Sequence, residues 1–317
     1  MALGEFELIR RYFAESDPTR SDTRLGIGDD AALLRCAAGM ELAVTVDTLV
    51  AGVHFLPDVD PFSLGHKALA VNLSDLAAMG AEPAWCTLAL TLPEADAAWL
   101  RGFAKGFLGL ARRHGVELVG GDTTRGPLSI TIQAMGQIPV GQALKRSGAR
   151  PGDLIYVSGP LGGAGLGLKL RLGQADRDEP TALAALERPE PRLALGQALR
   201  ELATACIDIS DGLAADLGHL LTASGAGATL VYEDLPLSDA VRNHIASTGD
   251  LTLPLCVGDD YELCFTVPPG RRVETDRLLG QLGLAGGAIG QIEAAPDLRI
   301  LRNGEALSLH RSGYQHF

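Results

Sequence analysis

Short clusters of aspartate, flanked by glycine, serine or threonine, are the most distinctive feature of this 317-residue sequence. Clustered carboxylates repel one another unless cations hold them together. Carboxylate, hydroxyl and carbonyl oxygens are also the ligands that Mg²⁺ prefers. The clusters therefore predict a site for several divalent cations, and hence chemistry on phosphate groups. They are Gly28-Asp29-Asp30, Val46-Asp47-Thr48, Leu73-Ser74-Asp75, Gly120-Gly121-Asp122-Thr123-Thr124, Asp208-Ile209-Ser210-Asp211-Gly212 and Gly258-Asp259-Asp260-Tyr261.

Most of these clusters, taken singly, also have an ordinary structural explanation. The pair at Asp29 and Asp30 is typical of a solvated turn or of a helix N-cap. Asp47 follows the β-branched run 44–46, as a strand end does. Residues 120–124 are good turn residues, and we expect them to join two strands. For the cluster at 208–211 the alternative is a cap of the helix that begins near residue 213, although three polar groups exceed what one cap needs.

Asp75 is more informative because it lies inside an apolar helical pattern, residues 68–78. Burying a carboxylate there is costly without a cation or several donors. The alternative is a helix break at this point, with Ser74 or Asp75 as a new N-cap.

The elements that must position these residues alternate between strands and helices in both halves of the chain. This pattern predicts an α/β or α+β layer structure in each half. Turn residues at 147–153 interrupt the apolar periodicity and mark the best domain boundary. The glycine-rich turn at 159–167 follows a predicted strand, but it matches neither the dinucleotide-binding nor the P-loop pattern. We therefore expect a structural turn there rather than a phosphate loop.

Composition narrows the function further. The formal net charge of -12 argues against binding nucleic acid or an anionic membrane through the overall field. No uninterrupted run of 18 apolar residues predicts a membrane span, and the N-terminal residues lack a signal-peptide pattern. The five cysteines form no Cys-x-x-Cys pair. They favour reduced thiols and a cytoplasmic location.

Two further side chains are candidates for contacts with a substrate. Arg146 lies beside the predicted boundary, where a planar guanidinium clamps phosphate well, although a surface arginine explains it equally. His54, in Val53-His54-Phe55, follows the Asp47 strand closely. It is a candidate substrate contact or a packed side chain.

In their joint order and spacing, these motifs are much more specific. The chain resembles the thiamine-monophosphate kinases of the PurM-like ATP-binding superfamily over essentially its whole length. The residues that carry this resemblance are Gly26-Ile27-Gly28-Asp29-Asp30-Ala31-Ala32, residues 46–55, Asn72-Leu73-Ser74-Asp75-Leu76-Ala77-Ala78-Met79-Gly80, residues 120–124, Arg146-Ser147-Gly148-Ala149, Ile209-Ser210-Asp211-Gly212-Leu213 and Asp260-Tyr261-Glu262-Leu263.

The resemblance implies a PurM-like two-domain architecture, with a dimerising domain over residues 1–146 and a second α/β domain over 147–317. It implies a homodimer, with ATP, several Mg²⁺ ions and thiamine monophosphate as ligands. The implied metal ligands are Asp30, Thr45, Val46 (through its backbone), Asp47, Asp75, Asp122, Asp208 and Asp211. The implied ATP contacts are Gly121, Asp122, Arg146 and Ser210, and the implied contacts with thiamine phosphate are His54, Asp259 and Tyr314.

One departure from the family pattern concerns Asp259. The family usually has Gly-Gly-Glu-Asp-Tyr-Glu-Leu where this chain has Val-Gly-Asp-Asp-Tyr-Glu-Leu at 257–263. Asp259 is therefore one methylene shorter than the usual glutamate.

Other members of the superfamily carry features that this sequence lacks. A hydrogenase-maturation carbamoyl dehydratase is expected to end in a functional cysteine, whereas this sequence ends in Phe317. A selenide water dikinase needs a reactive residue near its N-terminus, and the first cysteine here is Cys36. A non-catalytic metal- and nucleotide-binding module is the alternative from a different class.

Overall fold

The structure, a computed structural model, describes residues 5–14, 20–175 and 179–316. The chain forms two compact units. The first comprises Met1–Leu76 with Ala81–Gly141, and the second comprises Ala77–Gly80 with Gln142–Phe317. The domain limits expected from the sequence, 1–146 and 147–317, stay a prediction.

The first unit combines long strands with two long helices. Its sheet has the order β3-β6-β4-β5, in which β4 and β5 run parallel while β3-β6 and β6-β4 are antiparallel. Strands β1 and β2 form a separate pair. The elements are α1 (Glu5–Tyr12), β1 (Thr23–Leu25), β2 (Leu33–Leu34), β3 (Met40–Val50), α2 (Pro61–Ala78), β4 (Glu82–Leu92), α3 (Ala97–Arg113), β5 (Glu117–Arg125) and β6 (Ser129–Pro139).

Helix α2 remains continuous through Asp75, so the alternative of a helix break at Ser74 is wrong. The side chains of Leu69, Leu73 and Leu76 are almost wholly buried. Burial of such apolar side chains favours the packed helix, because each Å² of apolar surface removed from water stabilises the fold by about 25 cal/mol. This packing fixes α2 and therefore the position of Asp75, which is partly buried.

The second unit is built on a larger mixed sheet with the order β13-β12-β9-β11-β7-β10-β8. Only the β9-β12 pair of this sheet is parallel within the described residues. The elements are β7 (Leu154–Val157), α4 (Gly163–Arg171), α5 (Pro180–Glu187), α6 (Leu193–Ala198), β8 (Ala205–Asp208), α7 (Leu213–Ser224), β9 (Gly227–Val231), α8 (Asp239–Thr248), α9 (Leu253–Cys256), β10 (Leu263–Val267), α10 (Arg272–Gln281), β11 (Gly287–Glu293), β12 (Leu298–Arg302) and β13 (Glu305–Ala306).

The core of this unit joins α7 to the sheet. Leu217 and Leu220 of α7 are fully buried in one apolar cluster with Ile207 of β8 and Val157 of β7. Because α7 lies in this core, the turn that connects β8 to α7 is anchored at both ends. Asp208, the last residue of β8, and Asp211, in the turn, are the two acids of this segment that are predicted from the sequence to be metal ligands.

The structure tests two expectations from composition, namely reduced cysteines and the lack of a membrane-spanning helix. All five cysteines are free thiols; Cys36 is exposed and the other four are buried. Among the described residues, no helix is both long and apolar enough to cross a membrane. The cytoplasmic location stays a prediction.

Candidate functional site

In the first unit, strand β3 and helix α2 bring together three of the predicted metal ligands. Thr45 Oγ1 donates a hydrogen bond of 2.5 Å to Asp75 Oδ2. The backbone N–H of Asp47 donates to Asn72 Oδ1 at 3.1 Å. Thr45 and Asp47 are two residues apart on one strand, so their side chains lie on the same face of the sheet. The carboxylates of Asp47 and Asp75 therefore lie close together.

Asn72 has the right chemistry to hold this arrangement. Its side chain is fully buried, and its Nδ2 donates to the carbonyl oxygen of Ala68 at 3.1 Å. That bond leaves Oδ1 directed at the Asp47 N–H, because the amide has one acceptor oxygen and one donor nitrogen. Asn72 thereby fixes β3 against α2 at the position of Asp47.

The charges of Asp47 and Asp75 favour the binding of a cation between them. Burial, and to a smaller extent the negative charge of Asp75, raise the pKa of Asp47 to about 6. Two carboxylates that disfavour each other's ionisation are stabilised when a divalent cation binds to both. Asp47, Asp75 and the hydroxyl of Thr45 are suitable oxygen ligands for Mg²⁺.

The remaining predicted ligands of this unit lie at exposed positions. Asp30 is in the loop between β1 and β2, where its backbone N–H donates to Asp29 Oδ1 at 2.9 Å. Asp122 lies on β5, and the side chain of Val46 is 58% exposed. Over residues 5–14, 20–175 and 179–316, no three His, Cys, Asp or Glu side chains form a ready metal cage. Asp30 and Asp122 thus do not complete a preformed cluster with Asp47 and Asp75.

The expectation that residues 120–124 form a turn is wrong, because they lie within β5. Gly121 has a φ of 147°, and a Cβ there would lie 1.9 Å from the carbonyl oxygen of Leu88 on β4. Glycine is therefore required for the close approach of β5 to its parallel neighbour. The residues that suggested a turn are instead the part of β5 where Gly121 allows this close approach, and the neighbouring Asp122 is exposed.

His54 lies in a tight loop after β3. Its backbone N–H donates to the Val50 carbonyl oxygen, and its Nδ1 accepts from the Val50 N–H, both at 3.0 Å. A neutral imidazole that accepts at Nδ1 carries its proton on Nε2. The Val50 contacts thereby fix both the ring orientation and the tautomer of His54.

In the second unit, the turn between β8 and α7 brings together residues from distant parts of the sequence. The Asp259 N–H donates to the Ser210 carbonyl oxygen at 2.9 Å, and the Tyr314 N–H donates to the Asp211 carbonyl oxygen at 3.0 Å. One predicted ATP contact and one predicted metal ligand thus adjoin two predicted contacts of thiamine phosphate. Asp208, at the end of β8, is buried and pairs in register with Leu263.

The alternative that the acids at 208–211 only cap α7 is wrong. The N-cap is Gly212, which offers no side chain. The carboxylate of Asp216, from within the helix, accepts the backbone N–H groups of residues 210–212. Burial raises the pKa of Asp216 to about 7 despite these bonds. The start of α7 is therefore already filled by a carboxylate of the protein.

The glycine-rich turn at 159–167 is filled in a similar way. Asp260 accepts hydrogen bonds from the N–H groups of Gly162, at 2.8 Å, and Ala164, at 3.4 Å, at the start of α4. The Asp260 side chain occupies the donors that a phosphate would use. The structure thus explains why the turn is structural.

Asp259 occupies a strained segment next to these anchors. Its φ is 69° and that of Tyr261 is 49°, which non-glycine residues rarely adopt. The hydroxyl of Tyr261 donates to Asp259 Oδ1 at 3.1 Å. Strain of this kind persists only where surrounding contacts hold it.

Buried Glu262 supplies part of that hold at the next position. Arg192 Nε donates to Glu262 Oε2 at 2.7 Å, and Arg192 Nη2 donates to Glu262 Oε1. The hydroxyl of Ser158 donates to the same carboxylate and accepts the N–H of Leu263 at 2.8 Å. A buried carboxylate with this many donors fixes the end of the 258–262 segment.

The side chain of Arg146 is exposed, whereas the backbone of this residue is held in place by hydrogen bonds. Its carbonyl oxygen accepts the Ser224 hydroxyl at 3.0 Å, and the same hydroxyl accepts the N–H groups of Gly148 and Ala149, both at 3.2 Å. The neighbouring Lys145 carbonyl oxygen accepts the N–H of Cys206 in β8. The guanidinium is thus presented from a loop fixed to β8 and α7.

Sequence comparison assigns the chain to a family. Residues 28–138 match the AIR synthase related protein, N-terminal domain, and residues 150–302 match the C-terminal domain of the same family. The thiamine-monophosphate kinase of Escherichia coli O157:H7 is 52% identical over 322 residues, which cover 100% of this chain and 99% of that protein. This chain belongs to the thiamine-monophosphate kinase family.

Solved structures agree with this assignment. The thiamine-monophosphate kinase from Stenotrophomonas maltophilia K279a is 46% identical, with a TM-score of 0.85 over 91% of this chain and 93% of that chain. The structure of AaThiL complexed with AMPPCP and TMP is 31% identical, with a TM-score of 0.78 over 89% of each chain. The predicted PurM-like α/β architecture, and the function of an ATP-dependent kinase for thiamine monophosphate, are confirmed.

Sequence reasoning missed the residues that hold this kinase's loops in place. Asn72, Asp216, Arg192 and Glu262 were not singled out as positioning residues. Asp216 did leave a signal: it is three residues from Leu213 and four from Leu220, so it lies on the buried face of α7. A carboxylate on an apolar helical face needs nearby donors. Glu262 and Arg192, 70 residues apart, left no such local signal.

Proposed function

We propose that this kinase passes the γ-phosphoryl group of ATP directly to the phosphate of thiamine monophosphate, giving thiamine diphosphate and ADP, with Mg²⁺ held by the predicted aspartates. The observation that carries the metal assignment is the convergence of Thr45, Asp47 and Asp75 on one face of β3. Bound Mg²⁺ would neutralise phosphate charge. Asp30, Asp122, Asp208 and Asp211 are the further proposed ligands.

A pair of carboxylates rather than a full cage suits this role. Mg²⁺ keeps several waters and is commonly bound by one or two carboxylates together with substrate phosphates. The proposed site therefore needs its phosphate ligands to be complete. This accounts for an acid-rich surface in an enzyme whose substrates are themselves anions.

No strong general base is required for the proposed transfer. The acceptor oxygen on thiamine monophosphate is already anionic, so the barrier lies mainly in the mutual repulsion of two phosphate groups. The chain's own contribution is to position both groups in line and to offset their charge. We assign Arg146 to the ATP phosphates, with Gly121, Asp122 and Ser210 as the other ATP contacts.

The acceptor is assigned to His54, Asp259 and Tyr314. The hydrogen bond from the Val50 N–H to Nδ1 holds the imidazole ring of His54 in one orientation, and imidazole is a side chain suited to contact a phosphate. Asp259 and Tyr314 both adjoin the 210–211 turn. The complex of AaThiL with AMPPCP and TMP supports the pairing of an ATP analogue with the acceptor in this family.

We also infer that the enzyme is a homodimer that associates through β3. This strand is an edge of its sheet, and Leu42, Val44 and Val46 project from one face of it with exposures of 48%, 52% and 58%. An apolar stripe on an edge strand is a liability unless it is covered. A second copy offers the same uncharged stripe and suits a two-fold interface.

Radiolabelled ATP tests direct transfer. Incubation with γ-labelled ATP and Mg²⁺ alone should leave the protein unlabelled, and addition of thiamine monophosphate should yield labelled thiamine diphosphate. A labelled phosphoprotein that forms without the acceptor and passes its label on would contradict direct transfer. ADP release that is indifferent to thiamine monophosphate would contradict the acceptor assignment.

A further inference from the structure

The turn between β8 and α7 is held from below by one buried side chain. Asp216 Oδ2 accepts the backbone N–H groups of Ser210, Asp211 and Gly212 at 3.0, 3.0 and 3.1 Å. The side chain is only 3% exposed. Together these three bonds fix three consecutive peptide groups.

The carbonyl groups of the same turn make the contacts on its other side. The Ser210 carbonyl oxygen accepts the N–H of Asp259, and the Asp211 carbonyl oxygen accepts the N–H of Tyr314. The orientation of these peptide planes therefore sets the backbone positions of Asp259 and Tyr314, the two residues proposed to contact the substrate. A rotation of the turn would move the proposed metal and substrate contacts together.

An ordinary N-cap does not account for this arrangement. A capping side chain precedes the helix and satisfies one or two N–H groups. Asp216 instead lies inside α7, and the N-cap residue Gly212 has no side chain to contribute. The three donors belong to the turn before the helix, so the clamp orders the turn in addition to starting the helix.

We propose that Asp216 is a positioning residue for phosphoryl transfer, which acts by fixing the peptide groups of residues 210–212. Asp216 is buried beneath the turn, so its side chain stays out of reach of the substrates. This role rests on the proposed function, because it takes Ser210 and Asp211 as contacts of ATP and metal. Loss of the clamp is expected to weaken the binding of Mg²⁺ and nucleotide beyond what loss of stability alone would cause.

The test compares Asp216→Asn with Asp153→Asn. Asp153 is a suitable control because it is also a buried acceptor, 4% exposed, bonded to the Arg150 N–H and the Thr204 hydroxyl. Calorimetric titration with AMPPCP in Mg²⁺ gives the nucleotide affinity directly, and steady-state assays give the Mg²⁺ concentration for half-maximal rate. Asp216→Ser is the second variant, because the amide oxygen of asparagine can still accept the three N–H groups whereas the shorter serine side chain removes the clamp itself.

For the Asp216 variants we expect the Kd for AMPPCP and the half-maximal Mg²⁺ concentration to rise about 10-fold or more. For Asp153→Asn we expect both to match the wild type, even where its melting temperature falls equally. Wild-type values in the Asp216 variants, or an equal shift in Asp153→Asn, would overturn the positioning role. A wild-type protein without turnover dependent on thiamine monophosphate would instead overturn the proposed function, and this role with it.

Discussion

The hydroxyl of Thr45 donates a hydrogen bond of 2.5 Å to the carboxylate of Asp75, and so joins β3 to α2 beside Asp47. The carboxylate oxygens of Asp75 are of the type that Mg²⁺ prefers as ligands. Asp75 in turn raises the pKa of Asp47. The three residues form the best-defined part of the proposed metal site.

Replacement of Asp75 by asparagine tests this part of the site. Asp75→Asn keeps the shape of the side chain and removes its charge, so we expect turnover to fall at least about 100-fold while the fold is retained. Steady-state kinetics over a range of Mg²⁺ concentrations, with circular dichroism, measure both. Glu94→Gln, at an exposed position of the same unit, is the control. Unchanged activity in Asp75→Asn would remove Asp75 from the metal site.

Gly313 tests the placement of Tyr314. A Cβ at Gly313 would lie 2.6 Å from both the Asp211 carbonyl oxygen and Ala215 Cβ. Gly313→Ala should therefore displace the tail from the turn and raise the KM for thiamine monophosphate about 10-fold, with a smaller effect on the KM for ATP. Gly287→Ala is the control, since a Cβ there meets no atom within 4 Å. Equal KM values in both variants would show that the tail does not contribute to acceptor binding.

The raised pKa of Asp260 predicts how the free energy of unfolding changes with pH. Burial raises its pKa in the folded protein to about 8, well above the usual value of 3.8. The folded protein keeps the proton of such an acid up to a higher pH than the unfolded protein does. Its contribution to stability is complete below about pH 4 and is lost as the pH rises through about 8.

Chemical denaturation between about pH 4 and about pH 9 measures this effect. The free energy of unfolding should decrease with rising pH, and it should decrease less in Asp260→Asn, which has no proton to lose. Asp297→Asn, at an exposed position, should keep the wild-type slope. An identical slope in Asp260→Asn and the wild type would show that Asp260 is not the group responsible.

Val44 tests the proposed dimer. A charge in the centre of the exposed stripe would be desolvated on association, so Val44→Asp should dissociate the dimer. Sedimentation equilibrium should give twice 33.2 kDa for the wild type and 33.2 kDa for the variant. Val273→Asp, on a side chain that is 71% exposed on α10, should remain dimeric. A monomeric wild type would refute association through β3.

Sequence reasoning succeeded where a local pattern reflects the local environment. The apolar stretch around Asp75 indicated a helix, and α2 is indeed continuous there, with Asp75 partly buried. The glycine-rich turn at 159–167 departs from the phosphate-binding patterns, and the side chain of Asp260 explains why.

Sequence reasoning failed where distant segments decide the outcome. Residues 120–124 were expected to form a turn because their types favour one, yet pairing with β4 makes them part of a strand. The contacts of Ser210 with Asp259 and of Asp211 with Tyr314 join segments far apart in the sequence. Local propensity carries no information about such contacts, since they form only when the sheet of the second unit has brought β8 and β10 together.

The dependence of product formation on Mg²⁺ tests the central claim most directly. Purified protein is incubated with ATP and thiamine monophosphate, and thiamine diphosphate and ADP are quantified with Mg²⁺ or with excess chelator. The proposed function predicts one thiamine diphosphate per ADP with Mg²⁺, and no thiamine diphosphate with chelator. Thiamine diphosphate formation at the same rate in chelator would contradict the metal-dependent mechanism that the aspartate clusters are proposed to serve.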